Sequence, residues 1–266
     1  MKLSKKFNYL RPLKVNDLIR VGNKKDGGYL IPAEAFWNID GILSFGLGYN
    51  FTFEEHAYYM NNRLNIIVYD HSVNFFCFLT LFLKSIKRIF YFKSNLINIL
   101  AQFNNLVNYV KFFLINKKIK HSSSKIVKKV SLPNEKNLKS IFCNLKEKKI
   151  LLKIDIDGDE YQIIRQIKDF TKKVHILIIE FHNLDKKREL FKDSVFFLKT
   201  FFNIVHIHGN NYCPLCKDNF PEVVELTFLN KEIYPLDKKN FRKSFPIKDL
   251  DFPSFQFRKD YIIQFH

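Results

Sequence analysis

Seven short apolar runs of β-forming residues alternate with stretches of helical periodicity, and this alternation constrains the chain more than any other feature. Such an order closes into a mostly parallel sheet with helices on its faces. Sheets of this kind bind ligands in the crevice beyond the carboxyl ends of their strands. The expected strands are 42–46, 65–70, 126–130, 150–155, 175–181, 203–208 and 223–229, and the expected helices are 53–63, 134–146, 158–169 and 185–201. Runs such as Ile150-Leu151-Leu152 and Ile176-Leu177-Ile178-Ile179 lack polar alternation, which suits strands covered on both faces.

The first strand leads into the turn Phe45-Gly46-Leu47-Gly48, where small residues let the chain reverse and a ligand approach the backbone. The second closes on Asp70, about twenty residues further on, the separation at which a carboxylate reaches a ribose hydroxyl. Gly46, Leu47, Gly48 and Asp70, with Asp155 from a later strand end, are therefore the candidate residues for a nucleoside-bearing cofactor. The third glycine of G-x-G-x-x-G is missing, which argues against a standard dinucleotide site.

Three later strands end in titratable residues two apart: Asp155 with Asp157, Glu180 with His182, and His206 with His208. That spacing puts each pair on one strand face, and the fold order brings the three ends to one edge. Catalysis is the expectation for such a gathering, with Asp155, His182 and His208 as its candidates. Asp155, Asp157 and Glu180 are also the residue types that would hold a hard divalent cation. Helix capping is the competing role for Asp157 and Asp159. The segment His208-Gly209-Asn210-Asn211-Tyr212 adds amide donors and acceptors suited to a polyhydroxylated substrate.

At 266 residues and 47% hydrophobic content, one domain over 1–266 is expected, with an N-terminal segment at 1–40 and an insertion at 74–120. In that insertion Leu79, Phe82, Leu83, Ile86, Phe90, Ile97, Leu100, Phe103, Val107 and Val110 recur at helical steps, interrupted by Lys84, Lys87, Arg88 and Lys93. Two amphipathic helices are expected, either packing their stripe on the domain or meeting an anionic membrane surface. The charges exclude a membrane-spanning helix. Lys117–Ser124 reads as a solvated connection, and 235–258, with three prolines, as irregular chain over an edge of the domain.

A formal charge of +18 favours anionic partners in a salt-sensitive way. Cys213 and Cys216 form one C-x-x-C pair without the second pair of a four-sulfur zinc site, so reduced thiols are expected. The N-terminus lacks the succession of a secretion signal, and a cytoplasmic location follows as the expectation, peripheral to the inner face of the membrane if 74–120 binds lipid.

Taken together, the motifs Arg20-Val21-Gly22, Asp26-Gly27-Gly28-Tyr29, Ser44-Phe45-Gly46-Leu47-Gly48, Tyr69-Asp70-His71, Lys153-Ile154-Asp155-Ile156-Asp157-Gly158, Ile179-Glu180-Phe181-His182 and His206-Ile207-His208-Gly209-Asn210-Asn211 resemble an FkbM-type S-adenosylmethionine-dependent methyltransferase. The family pattern often has Glu where this chain has Asp157, and 74–120 lies outside its common core. The resemblance implies a Rossmann-like α/β fold, a seven-stranded mostly parallel sheet with its last strand antiparallel. It implies S-adenosylmethionine on the glycine turn, with its ribose at Asp70. The implied reaction is O-methylation of a sugar in a glycan, lipid-linked sugar or nucleotide sugar, with His208 first and His182 second as the base and Asp155 orienting the acceptor. Nucleic-acid methylation is the enzymatic alternative, and a noncatalytic membrane-associated glycan-assembly factor the other.

Overall fold

The computed structural model describes residues 5–89 and 95–266. Phe90 and Lys93 of the insertion lie outside the described residues.

The central sheet has seven strands: β1 (Gly41–Phe45), β2 (Asn65–Tyr69), β3 (Ile119–Ser122), β4 (Ile150–Ile154), β5 (Val174–Phe181), β6 (Phe202–Gly209) and β7 (Val224–Asn230). Across the sheet they run β6-β7-β5-β4-β1-β2-β3. Neighbours from β5 to β3 are parallel, while β7 is antiparallel to both β5 and β6. This is the expected Rossmann-like α/β arrangement, a seven-stranded, mostly parallel sheet with its last strand reversed.

Covering both faces explains the unbroken apolar runs. Every residue of β1, β4, β5 and β7 is buried. Leu43, Phe45, Leu152, Ile154, Leu177 and Ile179 point into one layer of core, and Ile42, Leu151, Ile176, Ile178, Ile66 and Val68 into the other. Consecutive residues alternate between layers because a strand turns successive side chains to opposite faces.

The third strand is not at 126–130. It is formed by Ile119–Ser122, within the stretch expected to be a solvated connection, and pairs in parallel with β2. An edge strand has one neighbour and needs little apolar surface; here Ile119 alone is fully covered, so hydropathy does not reveal it. Lys125–Ile126 instead makes a two-residue ladder with Glu135–Lys136, and Val130 is exposed. Helices occupy Thr52–Met60, Leu138–Asn144 and Arg188–Leu198, each shorter than its expected span. The 158–169 stretch is a single α-turn at Glu160–Ile163 continued by 3₁₀ turns to Phe170.

Before the sheet, Leu18–Gly22 and Gly28–Pro32 form an antiparallel hairpin, tied to β7 where Thr227 Oγ1 donates to the Leu30 carbonyl at 2.9 Å. Between β2 and β3 stand the helices Phe75–Ile89 and Leu96–Tyr109, the second passing into wider turns to Ile115. The C-terminal stretch lies against the β6 edge, where Asp251 and Asp260 meet its histidines. It is irregular apart from the pairing of Ser244–Phe245 with Ile263–Gln264.

Candidate functional site

A cleft of about 410 Å³ opens at the carboxyl ends of β1, β2 and β4. Its floor is the glycine turn. Gly46 has φ +85°, and a Cβ there would fall 1.6 Å from the Asp155 carbonyl oxygen, so only glycine lets β1 pass this close to β4. Gly48, at φ +56°, has open space above it. A ligand can therefore lie on bare backbone, as the sequence predicts.

Asp70 holds that turn in place. Its Oδ2 accepts the Leu47 and Gly48 amides at 2.7 and 2.8 Å, and its Oδ1 accepts the Ser72 amide and hydroxyl, both at 2.6 Å. Burial alone would raise its pKa, but these hydrogen bonds outweigh it and hold the carboxyl below its ordinary value. The spacing to the glycines thus has a second meaning, since the acid braces the turn it follows.

Asp155 and Asp157 both line the cleft. Lys153, fully buried on β4, donates to the Gly46 carbonyl at 2.9 Å and lies 3.4 Å from Asp155 Oδ2, tying the turn to the acid. Burial depresses this lysine, yet Asp155, Glu54 and Glu180 overcome the penalty and its pKa is raised, so it stays charged. A lysine inside the apolar run Leu151-Leu152-Lys153-Ile154 was the available signal for this role. From the N-terminal hairpin Asp26 also reaches the cleft. Burial first, then Glu225 and Asp155, push its pKa up to about 6.

Behind Asp155 stands His182. Its Nε2 is 3.8 Å from Asp155 Oδ1 and 3.8 Å from Glu180 Oε1, and its buried Nδ1 lacks a hydrogen-bond partner, with Glu160 Oε1 at 3.7 Å. Burial lowers the imidazole pKa, but the neighbouring carboxylates of Glu160 and Asp155 prevail and raise it. Glu180 is displaced further: burial, then Asp155, Glu225 and Asp26, push its pKa well up, while Asn210 Nδ2 donates to it at 2.9 Å. Donor atoms of Asp155, Glu180 and His182 all lie within 4.8 Å of one another. The set able to hold a cation therefore includes His182 and leaves out Asp157, whose backbone sits at φ +52° in the turn after β4.

His208 does not belong to the cleft. Its Nδ1 is 3.3 Å from Glu225 Oε2 and its Nε2 is 3.1 Å from Asp260 Oδ2; His208 and Glu225 are buried and Asp260 is partly so. Burial disfavours its charge, but Glu225 and Asp260 raise its pKa well above the ordinary value. An imidazole held protonated between two carboxylates cannot take a proton, so the expected first base is a structural cation. His206 is likewise engaged, 3.0 Å from Asp251 Oδ2. Asp251 and Asp260 come from the chain beyond β7, Glu225 from β7 itself. The C-x-x-C cysteines are free thiols; Cys216 is buried beside Glu222, and burial with that contact pushes its pKa up to about 12.

No protein-family model matches this chain, and no curated protein matches it. Among solved structures it is similar to the Methanococcus jannaschii fibrillarin pre-rRNA processing protein, at 12% identity over 83% of this chain and 71% of that one, with a TM-score of 0.38. An rRNA methylase from Streptococcus thermophilus is similar at 9% identity over 74% and 91%, TM-score 0.38. The precorrin-6y C5,15-methyltransferase from Geobacter metallireducens GS-15 is similar at 10% identity over 72% and 80%, TM-score 0.35.

Proposed function

We propose that this chain is an S-adenosylmethionine-dependent methyltransferase of the FkbM type that O-methylates a sugar hydroxyl. The observation that carries the reading is the glycine turn, braced by Asp70, opening into a cleft walled by Asp26, Asp155 and Asp157. The cradle fits the group: a side chain at Gly46 has no room, the space above Gly48 is open, and the acidic wall complements a cofactor carrying a sulfonium and an ammonium. When bound, the cofactor supplies an electrophilic methyl group.

The residues of the chain do the rest. Gly46–Gly48 present backbone to the amino-acid portion. Asp70 faces the ribose, whose hydroxyl would replace the Ser72 hydroxyl on Oδ1. Asp155, at the cleft wall, orients the acceptor hydroxyl and relays its proton to neutral His182 behind it, which does not itself line the cleft. Lys153, 3.4 Å from its Oδ2, holds Asp155 in place.

Transfer of labelled methyl from S-adenosylmethionine to nucleotide sugars, lipid-linked sugars and glycans tests this. Cofactor binding at one per chain without transfer to any of them would overturn the sugar assignment. Nucleic-acid methylation is the second reading, favoured by the net charge of +18, and labelled RNA in the same assay decides between them.

A further inference from the structure

The helical pair between β2 and β3 presents its apolar residues outward. On Leu96–Tyr109, the residues Leu96, Leu100, Phe103 and Val107 fall on one stripe by their spacing, and all four are exposed, with Ile97 at 74%. Phe76, at 70%, and Leu83 are exposed on Phe75–Ile89, as are Leu114 and Ile115 beyond the second helix. The pair is anchored from beneath by Phe78, Tyr109, Phe112 and Phe113, which are buried against the domain, and Phe82 meets Phe103 at 5.5 Å between the helices. The exposed stripe is thus a surface in addition to the one that packs.

Its charge identifies what would cover it. Between residues 71 and 134 the sequence has eleven lysines and arginines and no aspartate or glutamate. Lys84, Lys87, Arg88 and Lys111 are exposed on the helices and wider turns themselves. A second copy of this chain would bring the same cations face to face. RNA would satisfy the charge but not the aliphatic Leu96, Ile97, Leu100 and Val107, which offer bases nothing to stack on. Apolar side chains interleaved with cations alone match an anionic lipid surface. Among the described residues no helix is long and apolar enough to cross a membrane.

We propose that this helical pair seats the chain on an anionic bilayer, with the Leu96–Val107 stripe at the boundary of headgroups and acyl chains and the lysines on lipid phosphates. Asn105 and Asn108 of the second helix line a groove that shares Asp26, Tyr49 and Asn50 with the cleft, on the side of the helix turned away from the stripe, so a seated pair holds the cleft mouth about one helix diameter from the lipid. A lipid-linked acceptor follows from that placement together with the proposed methyl transfer. The seating itself needs neither.

The test is co-sedimentation of the full chain with phosphatidylcholine vesicles, with and without phosphatidylglycerol, at low and high salt. Pelleting is expected only with the anionic lipid and falls with salt. Lys84→Glu with Lys87→Glu should weaken it about tenfold or more. Ile97→Glu with Leu100→Glu should abolish it while leaving the thermal unfolding curve in place, since both residues are exposed. Failure of the wild-type chain to pellet with anionic vesicles overturns the proposal. So does pelleting unchanged by both double variants. A dimer or an RNA complex that the Ile97→Glu, Leu100→Glu chain loses, without vesicle binding, replaces the bilayer by that partner. None of these readouts uses S-adenosylmethionine, so a chain that binds vesicles but not the cofactor would refute the methyl-transfer reading alone.

Discussion

Replacing Asp70 by Asn changes one atom of the carboxylate that braces the glycine turn. All four acceptor positions are occupied, by the Leu47 and Gly48 amides on one oxygen and the Ser72 amide and hydroxyl on the other. An amide side chain keeps one oxygen and puts an NH₂ where two donors already point. The Ser72 hydroxyl can rotate to accept from it, but one backbone N–H is left without an acceptor, and the surviving bonds lose their charge. Hydrogen bonds to a charged group are worth about 1.5–3 kcal/mol and neutral ones about half that, so the variant should lose about 3 kcal/mol. For a chain of this size the melting temperature would fall by roughly 6–12 °C. The sign of the pH dependence follows from the native pKa, which lies below the ordinary 3.8. The stabilisation is complete above that value and disappears as pH falls through the native pKa, so the gap between wild type and variant should close in acid. Thermal melts across pH, with calorimetry of S-adenosylmethionine binding, measure both consequences. A loss below about 1 kcal/mol, or a gap that persists in acid, would refute the bracing role.

Other consequences are equally direct. His208→Gln removes a cation buried between Glu225 and Asp260 and should cost about 3 kcal/mol while leaving methyl transfer by the folded protein intact. Because that imidazole's native pKa is raised, its stabilisation is full below the unfolded value of 6.5 and lost as pH rises through the native one, so the penalty should be largest below that unfolded value and shrink in alkali. Loss of transfer with an unchanged melt would return His208 to the reaction. For His182, which must be neutral to accept a proton and whose pKa is raised, the pH profile of kcat/KM should fall on its acid side above the ordinary histidine range. His182→Gln should remove that limb, and a profile identical to wild type would exclude His182 as the base. Gly46→Ala forces a Cβ to within 1.6 Å of the Asp155 carbonyl at a positive φ and should weaken cofactor binding by about tenfold or more in calorimetry.

Local pattern carried the plan of this protein. Strands buried on both faces show as unbroken apolar runs, the turn as glycines that no other residue can replace, and the cleft as acids following β2 and β4; each is written within a few residues of itself. The place of Asp70 beside the glycine turn was legible by spacing, although its hold on the turn was not, because hydrogen bonds from Leu47 and Gly48 to Asp70 cross between strands. The edge strand Ile119–Ser122 escaped notice because a strand with one neighbour and one covered side chain has no hydropathic signature. Tertiary structure alone decided the fate of the two leading histidines. His182 and His208 stand on similar strand ends in similar words, yet one backs onto Asp155 at the cleft while the other is clasped by Asp260, 52 residues further along the chain. An imidazole's pKa depends on whatever charges the whole fold brings near it. Periodicity reports only which way a side chain points from its own strand.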